Sequence, residues 1–545
     1  MRMRWRMPFS AITLLIVVPA AAWTEPTTGP AQSAMVREAQ PLVDAINKHV
    51  AARWTKLKVQ EAPLADDAEF MRRVFLDISG RIPYTSEARD FLDDKAADKR
   101  EKLIEKLLES SGYVGTYSAF WRDLLIPPDN NQQRQLLQRQ ITPWIQKKIR
   151  ENTAYDKMVF ELLTAPVATG NTGGGRPGRL GAQNGPAIFY QANEYKPDNL
   201  GSATSRLFLG VRLECANCHD HKFDKWKRKQ FWQYAAFFAG IGTSQPQDFG
   251  DGQGEEDRGR NELTIPGTDI KVKARFLDDS VPDWKKGKSP REALAEWITS
   301  KDNPYFARAI VNRIWGHLMG FGIVEPVDDF TVDNQPSNPE LLDALAKAFV
   351  EHNYDMKYLI RAIVLSKPYQ LTSKMTNESQ LDTTAFARMS VKSLTAEQFF
   401  DSLALATYYN ESAPVTKGGR RDPNNNVVSP RDEFIARFAN NSDKRTEPQT
   451  SILQALALMN GKFLNDITSA DRGQLLGGAV LFKPEDSKRC IEALYLATLS
   501  REPTADEMSK AVKYIEGGGV SNDKSKAAAD LYWVLLNSSE FMFNH

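Results

Sequence analysis

Cysteine is scarce in this chain. Three occur in 545 residues, which excludes a disulfide-rich scaffold. Neither sign of charge dominates: 70 Lys plus Arg stand against 69 Asp plus Glu, for a formal +1. A chain-wide electrostatic nucleic-acid binder is thereby excluded. Beyond the N-terminus there is no apolar run long enough to cross a bilayer. The sequence also lacks a GxSxG elbow, an HExxH motif, a dinucleotide fingerprint, a GxxxxGK[ST] loop and an internal repeat of about 20–50 residues.

What is present begins with apolar residues at 41%, including 27 Phe, 16 Tyr and 11 Trp, enough to rule out wholesale disorder. One packed core seldom grows past about 250–300 residues, so the length predicts at least two domains. The first residues read as an address. Arg2, Arg4 and Arg6 form a basic head, Phe9 to Val18 an apolar run, and Ala20-Ala21-Ala22 a small-residue stretch. This is the pattern of a secretory signal peptide over residues 1–22, and it predicts export to the periplasm or cell surface. Cleavage would leave 67 basic against 69 acidic residues, a net −2.

Apolar spacings of three and four predict helices along most of the remainder. They cover Val36–Trp54, Ala68–Ile78, Lys99–Leu108, Tyr117–Leu125, Gln132–Ile149 and Tyr155–Leu163, with Asn152 as cap of the last. Seven glycines between Ala168 and Gly185 read as a loop, and the polar stretch Gly242–Asn261 as a linker followed by a short hairpin in Glu262–Phe276. A second helical region opens at the capping box Ser289-Pro290-Arg291-Glu292 and includes Asn303–Met319, Met356–Leu365, a helix capped by Thr395 and Gln398, and helices near 449–459, 487–498, 504–515 and 527–536. The expected fold is mainly α: helical domains over residues 36–240 and 287–545, joined by a linker with a short β-hairpin over 241–286.

One motif carries specific chemistry. Residues 215–221 read Cys215-Ala216-Asn217-Cys218-His219-Asp220-His221. C-x-x-C-H is the signature of c-type haem attachment. Two thiols about a helical turn apart each form a thioether to a haem vinyl group, and His219 becomes the proximal axial ligand of the iron. Other readings stay open. Cys215, Cys218, His219 and His221 form a candidate zinc set, although four ligands within seven residues are strained. Cys215 and Cys218 also suit a small disulfide or redox dithiol, or the match is chance. His221 lies too near His219 to reach the opposite haem face, and no methionine occurs between Met158 and Met319. Distal candidates are therefore His317 and Met319, with His49 and His352 further off, unless that position is open. A lone helical His such as His317 is more often a packed or surface residue. Asp220 and Asp224 are candidate acceptors for an imidazole or, equally, a solvated turn before the next helix. Cys490 reads as a buried free thiol, and Asp328-Asp329 as a capped turn after Pro326.

The stretch Leu209-Gly210-Val211-Arg212-Leu213-Glu214-Cys215 through His221, with Phe70–Pro83 upstream, resembles the planctomycete-type cytochrome C family, domain of unknown function 1549. Residues from about 303 resemble its usual companion, domain of unknown function 1553: Asn303–Arg308, Asn312-Arg313-Ile314-Trp315, Gly320–Val324, Asp328-Asp329-Phe330, Leu394–Gln398 and Leu536–Phe541. Lys222 departs from the proline common there. The resemblance implies a secreted two-part protein with covalent haem on Cys215 and Cys218 and His219 as axial ligand. It supplies no reaction. Such proteins are often associated with glycan-degrading functions by gene neighbourhood.

The sequence thus leads to an exported c-type haem protein in electron transfer or redox chemistry. The alternatives are a non-haem scaffold stapled by zinc or a disulfide, and a glycan-processing protein with a cleft near Asp328, Asp329 and Trp315. Expected partners are a redox protein or cell-surface glycan-processing proteins, with no nucleic acid and no integral span in the mature chain.

Overall fold

The computed structural model describes residues 33–127, 131–167, 185–222, 224–241, 257–284, 287–409, 430–438, 446, 468 and 486–545. The signal segment over 1–22 lies outside the described residues. So do most of the glycine-rich stretch 168–185, most of the linker 242–261 and the helix expected near 449–459.

The fold is mainly α, with two small antiparallel sheets of two strands each among the described residues. Helix Ala34–Leu57 shows why the periodicity is legible. Val36, Ala39, Leu42, Val43, Ile46, Val50 and Trp54 form its buried stripe, and the Ser33 hydroxyl accepts from the Val36 N–H. The expected helices Lys99–Leu108 and Met356–Leu365 match to the residue. Ser289 and Glu292 form the expected capping box of helix Pro290–Ile298. Helix Ser111–Leu125 starts earlier than expected, because Ser110 caps it by accepting from the Tyr113 N–H. Asn152 does not cap helix Tyr155–Thr164: it has φ 46°, and its amide donates to Asp355 at 3.0 Å. Among the described residues no helix is long and apolar enough to cross a membrane.

Helix Ala34–Leu57 packs along helices Pro339–Glu351 and Met356–Leu365, so the first and second halves of the chain cover each other. A large core runs from Ala39 through Tyr155 and Phe306 to Met389. At its centre the Tyr155 and Phe306 rings stack at 4.8 Å and 8°. A second cluster joins Leu76 and Ile82 to Leu403, Ile491, Tyr532 and Phe541.

Between these cores sits a polar hub built from one short segment, helix Asp67–Val74 and the π-turn Phe75–Ser79. The Arg72 guanidinium donates to the carbonyls of Thr498 and Phe541, both at 2.9 Å. Arg73 pairs with Glu69 at 2.6 Å and donates to the carbonyls of Tyr369, Leu371 and His545. Asp77, fully buried, accepts from Lys392 at 2.8 Å, Tyr369 at 2.9 Å and Asn544 at 2.8 Å. Burial pushes Arg72 down to about 10, still charged at neutral pH. A charge buried this deeply persists only when its partners are in place, so the hub demands that the two halves be assembled.

Candidate functional site

The cysteine motif stands on a backbone that the preceding residues reverse. Helix Pro197–Thr204 runs into the π-turn Ser205–Leu209, and Gly210 at φ 67° ends it. A Cβ on Gly210 would come within 2.6 Å of the Phe330 ring, so glycine is required both for its φ and for the space. The Phe330 N–H donates to the Gly210 carbonyl at 2.9 Å. Two stretches 120 residues apart therefore interlock directly behind the motif. Val211 and Leu213 then turn into the core.

Glu214–Asn217 forms a 3₁₀ turn with Cys218 following it. Side chains at i and i+3 of a 3₁₀ turn eclipse. A spacing of three thus sets Cys215 and Cys218 on one face, while Ala216 between them is fully buried. Both cysteines are free and exposed. His219 is exposed as well, and its Nδ1 lies 2.8 Å from the Asp220 carbonyl. A carbonyl only accepts, so Nδ1 carries the proton and Nε2 keeps its lone pair in the neutral ring.

Asp220 meets His219 through its backbone and opens the next helix through its exposed side chain. Its carbonyl, not its carboxylate, faces His219. The carboxylate accepts from the Arg228 N–H at 2.9 Å, opening helix Arg228–Ala235, and pairs with Lys227 at 3.4 Å. The Arg228 N–H, with Lys227 and His219 nearby, holds the Asp220 carboxyl below the usual range. Asp224 accepts from the N–H of Lys225 at 2.7 Å. The loop closes where the His221 N–H donates to the Trp226 carbonyl at 2.8 Å.

Asp328 lies in the turn expected after Pro326, where the Asp329 N–H donates to the Pro326 carbonyl at 3.1 Å. It is 8% exposed at its side chain, against Arg212 at 2.6 Å, Arg206 at 3.7 Å and Arg313 at 3.9 Å. Trp315 is fully buried, with its ring edge-on to Phe386. An acid neutralised by three arginines and a tryptophan sealed in the core do not line a hydrolytic cleft. His317 packs against the rings of Phe120 at 4.9 Å and Tyr117 at 5.9 Å, and Met319 is 1% exposed. Cys490 is buried as expected, and burial pushes its thiol up to about 11.

The donor set fits a covalently held haem. Two free thiols share one exposed face, and the next residue presents an imidazole whose Nδ1 is already engaged. The sequence alone did not reveal the Arg228 and Trp232 side chains, which reach back to the motif from the following helix. Trp232 Nε1 donates to the Asn217 carbonyl at 3.1 Å and Arg228 Nε to the same oxygen at 3.2 Å. No local sequence signal marks a contact across 11 or 15 residues.

No curated protein and no solved structure matches the chain. Residues 45–243 match PSCyt2, protein of unknown function (DUF1549), and residues 290–433 match PSD1, protein of unknown function (DUF1553), in that order. The exposed cysteine motif falls within the first match and its Phe330 and Asp328 backing within the second, and the chain carries these two family matches in tandem.

Proposed function

We propose that this chain is an exported c-type haem protein that exchanges electrons with a partner. The observation that carries this reading is the free, exposed pair Cys215 and Cys218 followed by exposed His219, whose Nδ1 lies against the Asp220 carbonyl. Cys215 and Cys218 would hold the haem covalently through their sulfurs. The His219 Nε2 lone pair would ligate the iron, and the Asp220 carbonyl orients the ring and raises its basicity through Nδ1–H. When bound, the haem supplies one-electron chemistry. Attachment in an oxidising compartment is consistent with the signal segment, and an exposed face suits a docking redox partner.

The test is a pyridine haemochrome spectrum of the full chain exported with haem maturation. The wild type should give a covalent haem signal, and Cys215→Ala/Cys218→Ala should lose it. A wild type without covalent haem overturns the proposal. Metal analysis showing one zinc per chain in that haem-free protein would instead support ligation by Cys215, Cys218, His219 and His221.

A further inference from the structure

The middle of the C-x-x-C segment is held by side chains from outside it. The Asn217 carbonyl lies between the two cysteines and accepts from both Arg228 Nε at 3.2 Å and Trp232 Nε1 at 3.1 Å. A carbonyl oxygen has two lone pairs, so these two donors saturate it. The other end of the Arg228 guanidinium donates to the Pro266 carbonyl at 2.7 Å. Pro266 sits in the connection between strands Glu262–Thr264 and Lys271–Lys273, which pair antiparallel. The backbone of Arg228 is in turn fixed by Asp220, whose own carbonyl holds His219. One residue therefore ties the cysteine turn, the histidine and the hairpin into a single unit.

A turn of four 3₁₀ residues on a surface has little rigidity of its own. Here the planar guanidinium bridges two carbonyls from different elements with a fixed fork, which a lysine cannot reproduce. Trp232 is 7% exposed, so its ring is anchored in the core while its N–H reaches the turn. Reaction of two thiols with one flat molecule requires both sulfurs to keep their relative placement.

We infer that Arg228 and Trp232 are positioning residues that hold the Asn217 carbonyl, and through it the Cys215–Cys218 pair, in register for double attachment. The inference rests on the haem reading, and its test separates the two. The full chain is exported with haem maturation as wild type, Arg228→Ala, Arg228→Lys and Trp232→Phe, with the folded fraction set by far-UV circular dichroism. The first readout is the pyridine haemochrome, whose α band moves to longer wavelength when only one vinyl group is saturated. The second is hydrogen exchange of the Ala216 N–H, which donates to the Leu213 carbonyl at 2.9 Å, in chain made without haem maturation.

Arg228→Ala should lose about threefold in doubly attached haem, with a red-shifted α band in what remains. It should also exchange the Ala216 amide about tenfold faster, the effect of about one net hydrogen bond. Trp232→Phe should show both changes in smaller measure, and Arg228→Lys should recover part of the loss. Wild-type band position and wild-type exchange in Arg228→Ala overturn the inference. If Arg228→Ala does not fold, wild-type values in both Trp232→Phe and Arg228→Lys overturn it instead. A wild-type chain without haem refutes the functional reading alone, because the exchange arm still decides whether these side chains hold the turn.

Discussion

Arg72, Arg73 and Asp77 are almost completely buried, whereas Cys215, Cys218 and His219 stand exposed. Both groups come from short, specific stretches in the first half of the chain. In the hub, carbonyls and opposite charges from the second half surround the side chains. In the cysteine turn, the backbone is held while the thiols and one imidazole nitrogen stay unengaged. The difference separates architecture from chemistry. Groups whose hydrogen-bonding capacity is spent inside the fold organise it, and groups held in place but left unspent are available to a ligand. A motif's specificity in sequence does not tell these two uses apart.

The comparison can be broken most forcefully at the hub. Lys392→Met leaves Asp77 buried without its cation and should destabilise the fold by about 3–5 kcal/mol in chemical denaturation. A loss below about 1 kcal/mol would mean that Asp77 is neutral or solvated and that the hub does not organise the halves. Gly210→Ala comes next. It places a Cβ against the Phe330 ring at a left-handed φ and should cost about 1–3 kcal/mol. Phe330→Leu in the same background should recover part of that cost, which identifies the clash as the cause.

A smaller effect is expected with pH. The Arg501 guanidinium bonds to Glu507 and Glu540, and its bonds to Glu507, with those from Thr504 and against partial burial, draw the Glu507 carboxyl from 4.5 down to about 2. A carboxyl depressed in the folded state stabilises it above the unfolded value, and that contribution is lost as pH falls from about 4.5 to 2. Arg501→Ala should therefore flatten the dependence of Tm on pH in that window. An unchanged slope would assign acid lability to other carboxyls.

The smallest stability effect belongs to the exposed turn. Cys215→Ser/Cys218→Ser should change unfolding free energy by no more than about 0.5 kcal/mol. Native alkylation of haem-free reduced chain should label Cys215 and Cys218 and leave Cys490, whose buried thiol is raised to about 11, until the fold is opened. Labelling of all three at equal rates would remove the contrast between exposed and buried sulfur.

Much of this was legible in the residues because the signals are local. Helix Met356–Leu365 carries its buried spacing and its Asp355 cap within one stretch, and Cys215, Cys218 and His219 announce their chemistry by adjacency. Asn152 misled because residue type alone does not distinguish a cap from a left-handed turn residue bonded to Asp355. The turn expected at Asp328-Asp329 is present, but nothing local marks Arg212, 116 positions away, as the partner of Asp328.

By itself, then, the chain's order of residues determined the helical elements, their caps and the identity of the attachment candidates, because each depends on neighbours a few positions apart. Tertiary structure decided the rest. It joined Gly210 to Phe330, enclosed Asp77 with Lys392, and brought Arg228 and Trp232 onto the Asn217 carbonyl. Those pairings depend on which buried charges and carbonyls find partners when distant segments meet, and short-range periodicity carries no record of that outcome.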